Sequence, residues 1–537
     1  MIRLLLIAVL SCFGMSCLIP LSNASTQLGE IEFPTSGSGA AQKHFIHGIA
    51  ALHSFWYTEA INSFQKSTQV DPSFAMGYWG EALAYNRPLW EEQDIKSAKH
   101  TLSKIVDTSR LSQREKDYIN ALHLLYGDEQ KVLRDKAYSN AMKKIYTNYP
   151  EDLEAACLYS LSLLGVSRNT SNNLPLRIES GAIALEVNEK NPNHPCAAHY
   201  AIHAFDTPEL ARLALPSAHR YSKIAPASHH AQHMPAHIFV QLGMWPEAEK
   251  SNKSGWAVSV NWVERENLSK SMRDYHSLQW LHYVYLQQGL TKKAETVFDI
   301  QTKDMLEGIK DAKEAKPFPN LRAGKYYYRM LAAKILETEQ WNKADRITPL
   351  KDENPKGYSK AEYNFVKGFA AAMQGRPEAK KYVSELEGFR KKELNKNYFK
   401  RSENIKIWEL EIKAAIKLYE KDYVSAIQLA NQAVQIEKKL RAPSGPPRII
   451  KPTYEFLGEV YLKSGKPKKA KEQFDISLTR HHNRMRSLIG FARSAQLNDE
   501  IELAQEKYEQ LLYILKNSPK DFPERKEAET FLDRFKP

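Results

Sequence analysis

Two stretches of this chain set out imidazoles at a spacing that can do chemistry. HPCAAHYAIHAFD (194–206) places His199 and His203 four residues apart, and HHAQHMPAHIFVQLG (229–243) repeats the spacing with His233 and His237. Residues 194–237 hold eight of the 17 histidines in 44 positions, several times an even spread over 537 residues. On a helix, where each residue turns about 100°, Cys196, His199, His203 and Asp206 fall within an arc of about 80°. His230, His233 and His237 make an equivalent face. Imidazole pairs on adjacent helices can converge nitrogen ligands on Zn or Cu, with Asp206 or Cys196 binding the ion or orienting a ligand. Such binding falls away below about pH 6, because a protonated imidazole cannot ligate. Two other chemistries use the same residues. Imidazoles can serve as acid, base or hydrogen-bond partner for an anionic ligand, or can satisfy one another and backbone carbonyls and specify packing alone.

The elements that must position them follow from the register. Pro192 and Pro226 lie 34 residues apart, as do His199 and His233, and His203 and His237, so the two pairs occupy the same place in consecutive repeats. Pro150 precedes Cys157 by the seven residues that separate Pro192 from His199, which puts Cys157 in the same lengthwise row. The insertion GVSRNTSNNLPL interrupts the strict period. Pro235, between His233 and His237, removes a helical hydrogen bond, which predicts a helix start close to it and a less parallel pair. Cys157 and Cys196 are expected within disulfide reach on adjacent helices.

The grammar recurs along the chain. In GIAALHSFWYTEAINSFQKSTQVDP, Gly48, Ala60, Phe64 and Pro72 place a small residue on one helix, a small-then-large pair on a second, and a proline stop. Gly458, Ala470 and Phe474 repeat it, as do His282, Ala294 and Phe298, and Ala492, Ala504 and Tyr508. This resembles the tetratricopeptide repeat. Apolar residues at three and four spacing agree with an all-α chain. HPCAAHYAIHAFD, HHAQHMPAHIFVQLGMW, FAMGYWGEALA and GPPRIIKPTYEFLGE together look like a group of bacterial secreted tetratricopeptide proteins of similar length. The resemblance implies a right-handed superhelical array whose first helices line a concave groove, with the histidines projecting into it. It implies no particular activity.

The first 24 residues carry one positive charge, an apolar run and a small-residue exit at Ala24, the anatomy of a signal peptide. Export to a periplasmic or secreted location is therefore expected. A net charge of +13 then points to acidic surfaces or envelope polymers rather than nucleic acid. No later stretch is long and apolar enough to span a membrane. The expected organisation is a signal at 1–24, a flexible linker at 25–40, a histidine-bearing array at 41–309, an irregular helical connector at 310–360 and a Lys-rich array at 361–537.

Weaker groove candidates are Glu455 and Glu459, four apart in PTYEFLGEVYL, which could act as acid and base or be salt-bridged, and His276 in RDYHSLQW, which falls on the histidine face by register and could equally cap a helix start or lie at the surface. His53 is expected to pack under the first hairpin, and Tyr78, Trp79, Tyr85, Trp280 and Tyr285 to form inter-repeat core. The segment RAPSGPPRIIKP (441–452) is a stiff connector, expected as a plain inter-repeat linker, though such a loop can also arch over a groove and present Arg448 to an anion. No HExxH, GxSxG, P-loop or dinucleotide fingerprint is present. The expectation is an exported repeat protein with a metal site formed by His199, His203, His233 and His237, and Asp206, His230, His276, Glu455 and Glu459 lining the groove. The alternatives are a scaffold binding a protein, peptide or small ligand with structural histidines, and a metal-dependent hydrolase or oxidoreductase.

Overall fold

The computed structural model describes residues 27–170, 173–314, 322–346, 357–441 and 443–535. From Gly39 onward these form α-helices joined mostly by short turns, each packed chiefly on its sequence neighbours. The fold is an all-α, tetratricopeptide-like superhelical array of helix hairpins. The strands among the described residues are Asn86–Arg87 and Glu92–Gln93, a two-residue antiparallel clip around Pro88–Trp90.

The repeat grammar is a packing rule. In the first hairpin, Gly39–His53 and Tyr57–Val70, a Cβ on Gly48 would stand 2.6 Å from the Phe64 ring, and Gly80 of the next helix abuts the same ring. Phe64 thus fills the space that two glycines leave, with Ala60 buried beside it. Phe474 does the same between Gly458 and Gly490.

Three successive first helices carry the histidine row: Pro195–Phe205, the pair His229–His233 and Pro235–Gln241, and Tyr275–Gln287. Their starts are fixed by local chemistry. His194, Ser228 and Asp274 each accept a hydrogen bond from the backbone N–H two or three residues on. Pro235 breaks the helix less than its position suggests. Met234 keeps right-handed helical angles, Ala236 N–H donates to Ser251 Oγ at 3.1 Å, and the Ser251 hydroxyl donates to the Gln232 carbonyl at 2.6 Å. Ser251, from the following helix Trp245–Arg265, so bridges the interruption, and the His233 and His237 rings stay 5.0 Å apart.

The array folds back on its middle. Gly39–His53 packs on Pro195–Phe205, and Trp245 Nε1 donates to the Asn483 carbonyl at 2.9 Å. Cys157 and Cys196 form a disulfide with Cα atoms 6.0 Å apart, joining Leu153–Ser167 to Pro195–Phe205, as the register implied. One expectation changes. Residues 27–38 are not a loose lead-in, because Leu28 and Phe33 are buried and Glu30 N–H donates to the Asn193 carbonyl at 3.0 Å. The stretch expected as an irregular helical connector, 310–360, holds helix in its described parts, from Thr291–Glu314, Arg322–Thr338 and Gly357–Met373, with residues 315–321 and 347–356 outside the described residues. The signal segment also lies outside them.

Candidate metal centre

His199, His203, His233 and His237 do not close on one point. Each pair instead takes a third imidazole, giving two groups, His199, His203 and His230, and His233, His237 and His276, whose nitrogens within a group lie within 4.8 Å of one another. The groups adjoin, with the His203 and His237 rings 5.9 Å apart and those of His230 and His233 6.4 Å apart. In each group one histidine is buried and two are half-buried, so both groups have an open side.

Hydrogen bonds from outside the groups fix which nitrogen of three rings is bare. Asn252 Nδ2 donates to the Ala248 carbonyl at 2.8 Å, which turns its Oδ1 toward His233 Nδ1, also 2.8 Å away. His233 must therefore carry its proton on Nδ1, leaving a lone pair on Nε2, and Nε2 is buried with no hydrogen-bond partner. His237 Nδ1 donates to Asp206 Oδ2 at 2.7 Å, and Asp206 is held in turn by Gln241 Nε2 at 2.9 Å. His199 Nδ1 donates to the His53 carbonyl at 2.5 Å. Each bond is of the kind that orients a metal-binding histidine. His199 Nε2 and His230 Nε2 stand 3.1 Å apart; two nitrogens on one ion at about 2.0–2.1 Å would be separated by about 3.0–3.4 Å. His203 Nε2 is also buried without a partner.

Electrostatics keeps His199, His203, His230 and His233 neutral. Burial first, and then the neighbouring imidazoles, hold His203, His230 and His233 well below the ordinary histidine range, and burial pushes His199 down to about 3. Burial pushes the Asp206 carboxyl up, but His237 and Gln241 hold it below its usual value. At neutral pH these four imidazoles keep a lone pair, beside the ionised carboxylates of Asp206 and Asp274.

Distant segments wall the centre. Phe55, in the turn of the first hairpin, has φ of 53°, a left-handed conformation costly for a bulky residue. Its ring centroid lies 4.3, 5.4 and 5.5 Å from those of His199, His203 and His230. Trp90, presented by the two-residue clip, lies 6.1 Å from His230. Trp280, expected as inter-repeat core, is buried, yet its ring sits 4.9 and 4.4 Å from His233 and His237. The 441–452 connector does arch over this face, since the Pro443 carbonyl accepts from Gln241 Nε2 at 2.6 Å and Gly445, at φ +92°, abuts the Trp280 ring. Sequence spacing carries no signal for Phe55, Trp90, Asn252 or Gln241.

Other candidates fall elsewhere. Glu455 and Glu459 belong to a buried ion network rather than to the histidine face. Lys451 Nζ lies 3.1 and 2.5 Å from them, and Arg484 holds Glu455 at 2.7 Å and Glu337 at 2.7 Å. His53 and His194 each give Nε2 to Glu154, at 2.6 and 2.8 Å, and Cys157 is tied in the disulfide, so this third group of potential ligands is already committed. Glu154 is held down to about 2 although burial pushes it up. His53 is lowered by burial and acts on Glu154 as a neutral N–H donor, while His194 accepts the Cys196 N–H on Nδ1 and gives its Nε2 proton to the same carboxylate. An apolar cleft bounded by Leu52, Leu83, Pro88, Leu125 and Tyr138 contains no histidine.

No family model matches the chain, and no curated protein matches it. Among solved structures it is similar to the human IFIT1 dimer with m7Gppp-AAAA, at 11% identity over 94% of this chain and 90% of that one, TM-score 0.34. Yeast Tom70 aligns at 13% identity over 92% of this chain and 95% of its own, TM-score 0.31. The APC/C hetero-tetramer Cut9–Hcn1 gives 13% identity, 93% and 90% coverage and TM-score 0.32. Likenesses this weak say nothing about the histidine centre.

Proposed function

We propose that this chain is an exported, tetratricopeptide-like protein whose two histidine triads each hold a Zn or Cu ion. The carrying observation is the bare, buried Nε2 of His233, whose proton is fixed on the far nitrogen by Asn252 and Ala248. A histidine kept for packing alone would spend both nitrogens on partners. All-imidazole donors suit Zn and Cu better than Mg or Ca. The open side of each triad leaves a coordination position for water or substrate, which suits a metal-dependent hydrolase or oxidoreductase rather than a closed structural ion. Export is supported by the signal-like first 24 residues and by a disulfide, which persists in oxidising compartments. A peptide-binding groove with structural histidines fits less well, because Pro443 and Gly445 occupy this face.

The test is titration of untagged, metal-stripped protein with Zn and with Cu, by calorimetry and elemental analysis. Two ions per chain are expected, falling to one in His203→Ala and one in His276→Ala. No binding would overturn the reading, and a single ion abolished by either variant would overturn the two-centre arrangement.

A further inference from the structure

Each triad lies under one aromatic ring. The centroids of the His233, His237 and His276 rings are 5.0, 4.7 and 6.2 Å apart, so the point in their plane equidistant from all three is about 3.2 Å from each. A ring nitrogen that holds Zn or Cu at about 2.0–2.1 Å sets the ion about 3.2 Å from the ring centroid, so that point is where a shared ion fits. Trp280, 4.9, 4.4 and 5.2 Å from the same three centroids, therefore stands about 3.7 Å from the ion position, almost along the normal to the plane. The first triad repeats the arrangement. Its centroids are 4.8, 5.0 and 6.1 Å apart, which puts the equidistant point about 3.1 Å from each, and Phe55 stands about 4.2 Å from it. The Phe55 ring is within 26° and 29° of parallel to His203 and His230, so its face is turned toward them. At about 4 Å the hydrogens on the rim of either ring would collide with an ion met edge-on, so each ion meets a π face. Both rings are fixed by their surroundings: no side chain would fit between Gly445 and the Trp280 ring, and Phe55 keeps its left-handed φ of 53° with Tyr57 stacked on it at 5.7 Å.

Three nitrogens in one plane with the ion, under an aromatic face, make a trigonal site. Zn completes a tetrahedron with a fourth donor, which here can enter from one side alone and draws the ion away from the ring. Cu(I) is satisfied by three nitrogens and stays in their plane. A π face attracts a cation but offers no lone pair, so it favours the ion that needs no fourth donor. Among the described residues the first triad gathers imidazoles only, and desolvation rises as the square of the charge, so a singly charged ion loses far less solvation there than a doubly charged one. We infer that Trp280 and Phe55 touch the bound ions and set their identity, holding Cu(I) in preference to Zn, and that ligands reach each ion only from the face opposite the ring. This rests on the metal reading above.

The full chain, untagged and metal-free, is titrated without oxygen with Cu(I) against a chromogenic Cu(I) chelator, and separately with Zn, while tryptophan emission is followed. Two Cu(I) per chain should bind, each more tightly than Zn. Emission should fall as the ion beneath Trp280 binds, and Trp280→Phe should lack that fall yet keep Cu(I) affinity within about twofold, because it keeps a π face. Trp280→Leu removes the face and should weaken one Cu(I) about tenfold with a smaller change for Zn. Phe55→Leu should do the same at the other triad with the Trp280 signal intact, so a folding failure at one position leaves the other to decide. An emission fall equal in wild type and Trp280→Phe, or a Cu(I) preference over Zn unchanged in both leucine variants, would overturn the inference and leave the triads as metal sites. Failure of both ions to bind the wild type would overturn the metal reading itself, and the inference with it.

Discussion

Asp206→Asn separates a metal centre from a packed histidine cluster. Asp206 Oδ2 accepts the His237 Nδ1 proton at 2.7 Å, while its Oδ1 accepts from Gln241 at 2.9 Å. In the amide variant, Gln241 still needs an acceptor and retains the carbonyl oxygen, so the new NH2 faces His237 Nδ1. That nitrogen must then accept, the ring proton moves to Nε2, and His237 loses the lone pair with which it would ligate. Loss of such an orienting partner costs about 10–100-fold in metal affinity, roughly 1.4–2.7 kcal/mol, and the forced tautomer change puts this variant at the upper end. The effect belongs to one group only, because the ring nitrogens of His199, His203 and His230 do not touch Asp206. Calorimetric titration with Zn should thus show one binding event weakened and one unchanged. If both affinities stay within about twofold of wild type, His237 is not a ligand and its tautomer has no bearing on the ion. A packing role predicts instead a stability loss of about 1–3 kcal/mol with no change in ion affinity.

Three further outcomes follow from the same structure. In metal-free protein, folded His199 titrates near 3, with His203, His230 and His233 also well below their unfolded range, so the unfolded state binds more protons as pH falls below about 6.5. Stability should therefore be full above about pH 6.5 and fall toward pH 3, by up to about 1.4 kcal/mol per pH unit per group, and thermal melts at pH 7.5 and 5.5 that coincide would contradict it. Arg484→Met removes the guanidinium that Glu455 and Glu337 share and leaves buried Glu337 without its ion pair, while Glu455 keeps Lys451; denaturant titration should show a loss of about 3–5 kcal/mol. Reducing the Cys157–Cys196 bond, which closes a sequence separation of 39, should lower stability by roughly 4 kcal/mol, read as a drop in denaturation midpoint with and without reductant.

The sequence by itself determined what depends on local periodicity. The 34-residue offset placed both histidine pairs on first helices, the seven-residue offset from Pro150 matched Cys157 to the row, and Gly48, Ala60 and Phe64 announced the hairpin contact. Helical spacing and repeat length are short-range properties, and side chains obey them before the chain has any global shape. What it did not determine is which imidazoles share a point. His230 and His276 complete the two groups because a small rotation per repeat, set by packing at every interface, decides how far each first helix turns against the next. That rotation accumulates, so which distant segments return to the centre is a property of the whole array. Phe55 and Trp90 from its start and Pro443 from near its end close over the histidines, while Glu455 and Glu459, at matching register, turn into a separate ion network. The tautomers, too, were decided only in three dimensions. Asn252 lies 19 residues from His233 and Asp206 31 from His237, and no spacing rule links a ring nitrogen to an acceptor that a different helix supplies.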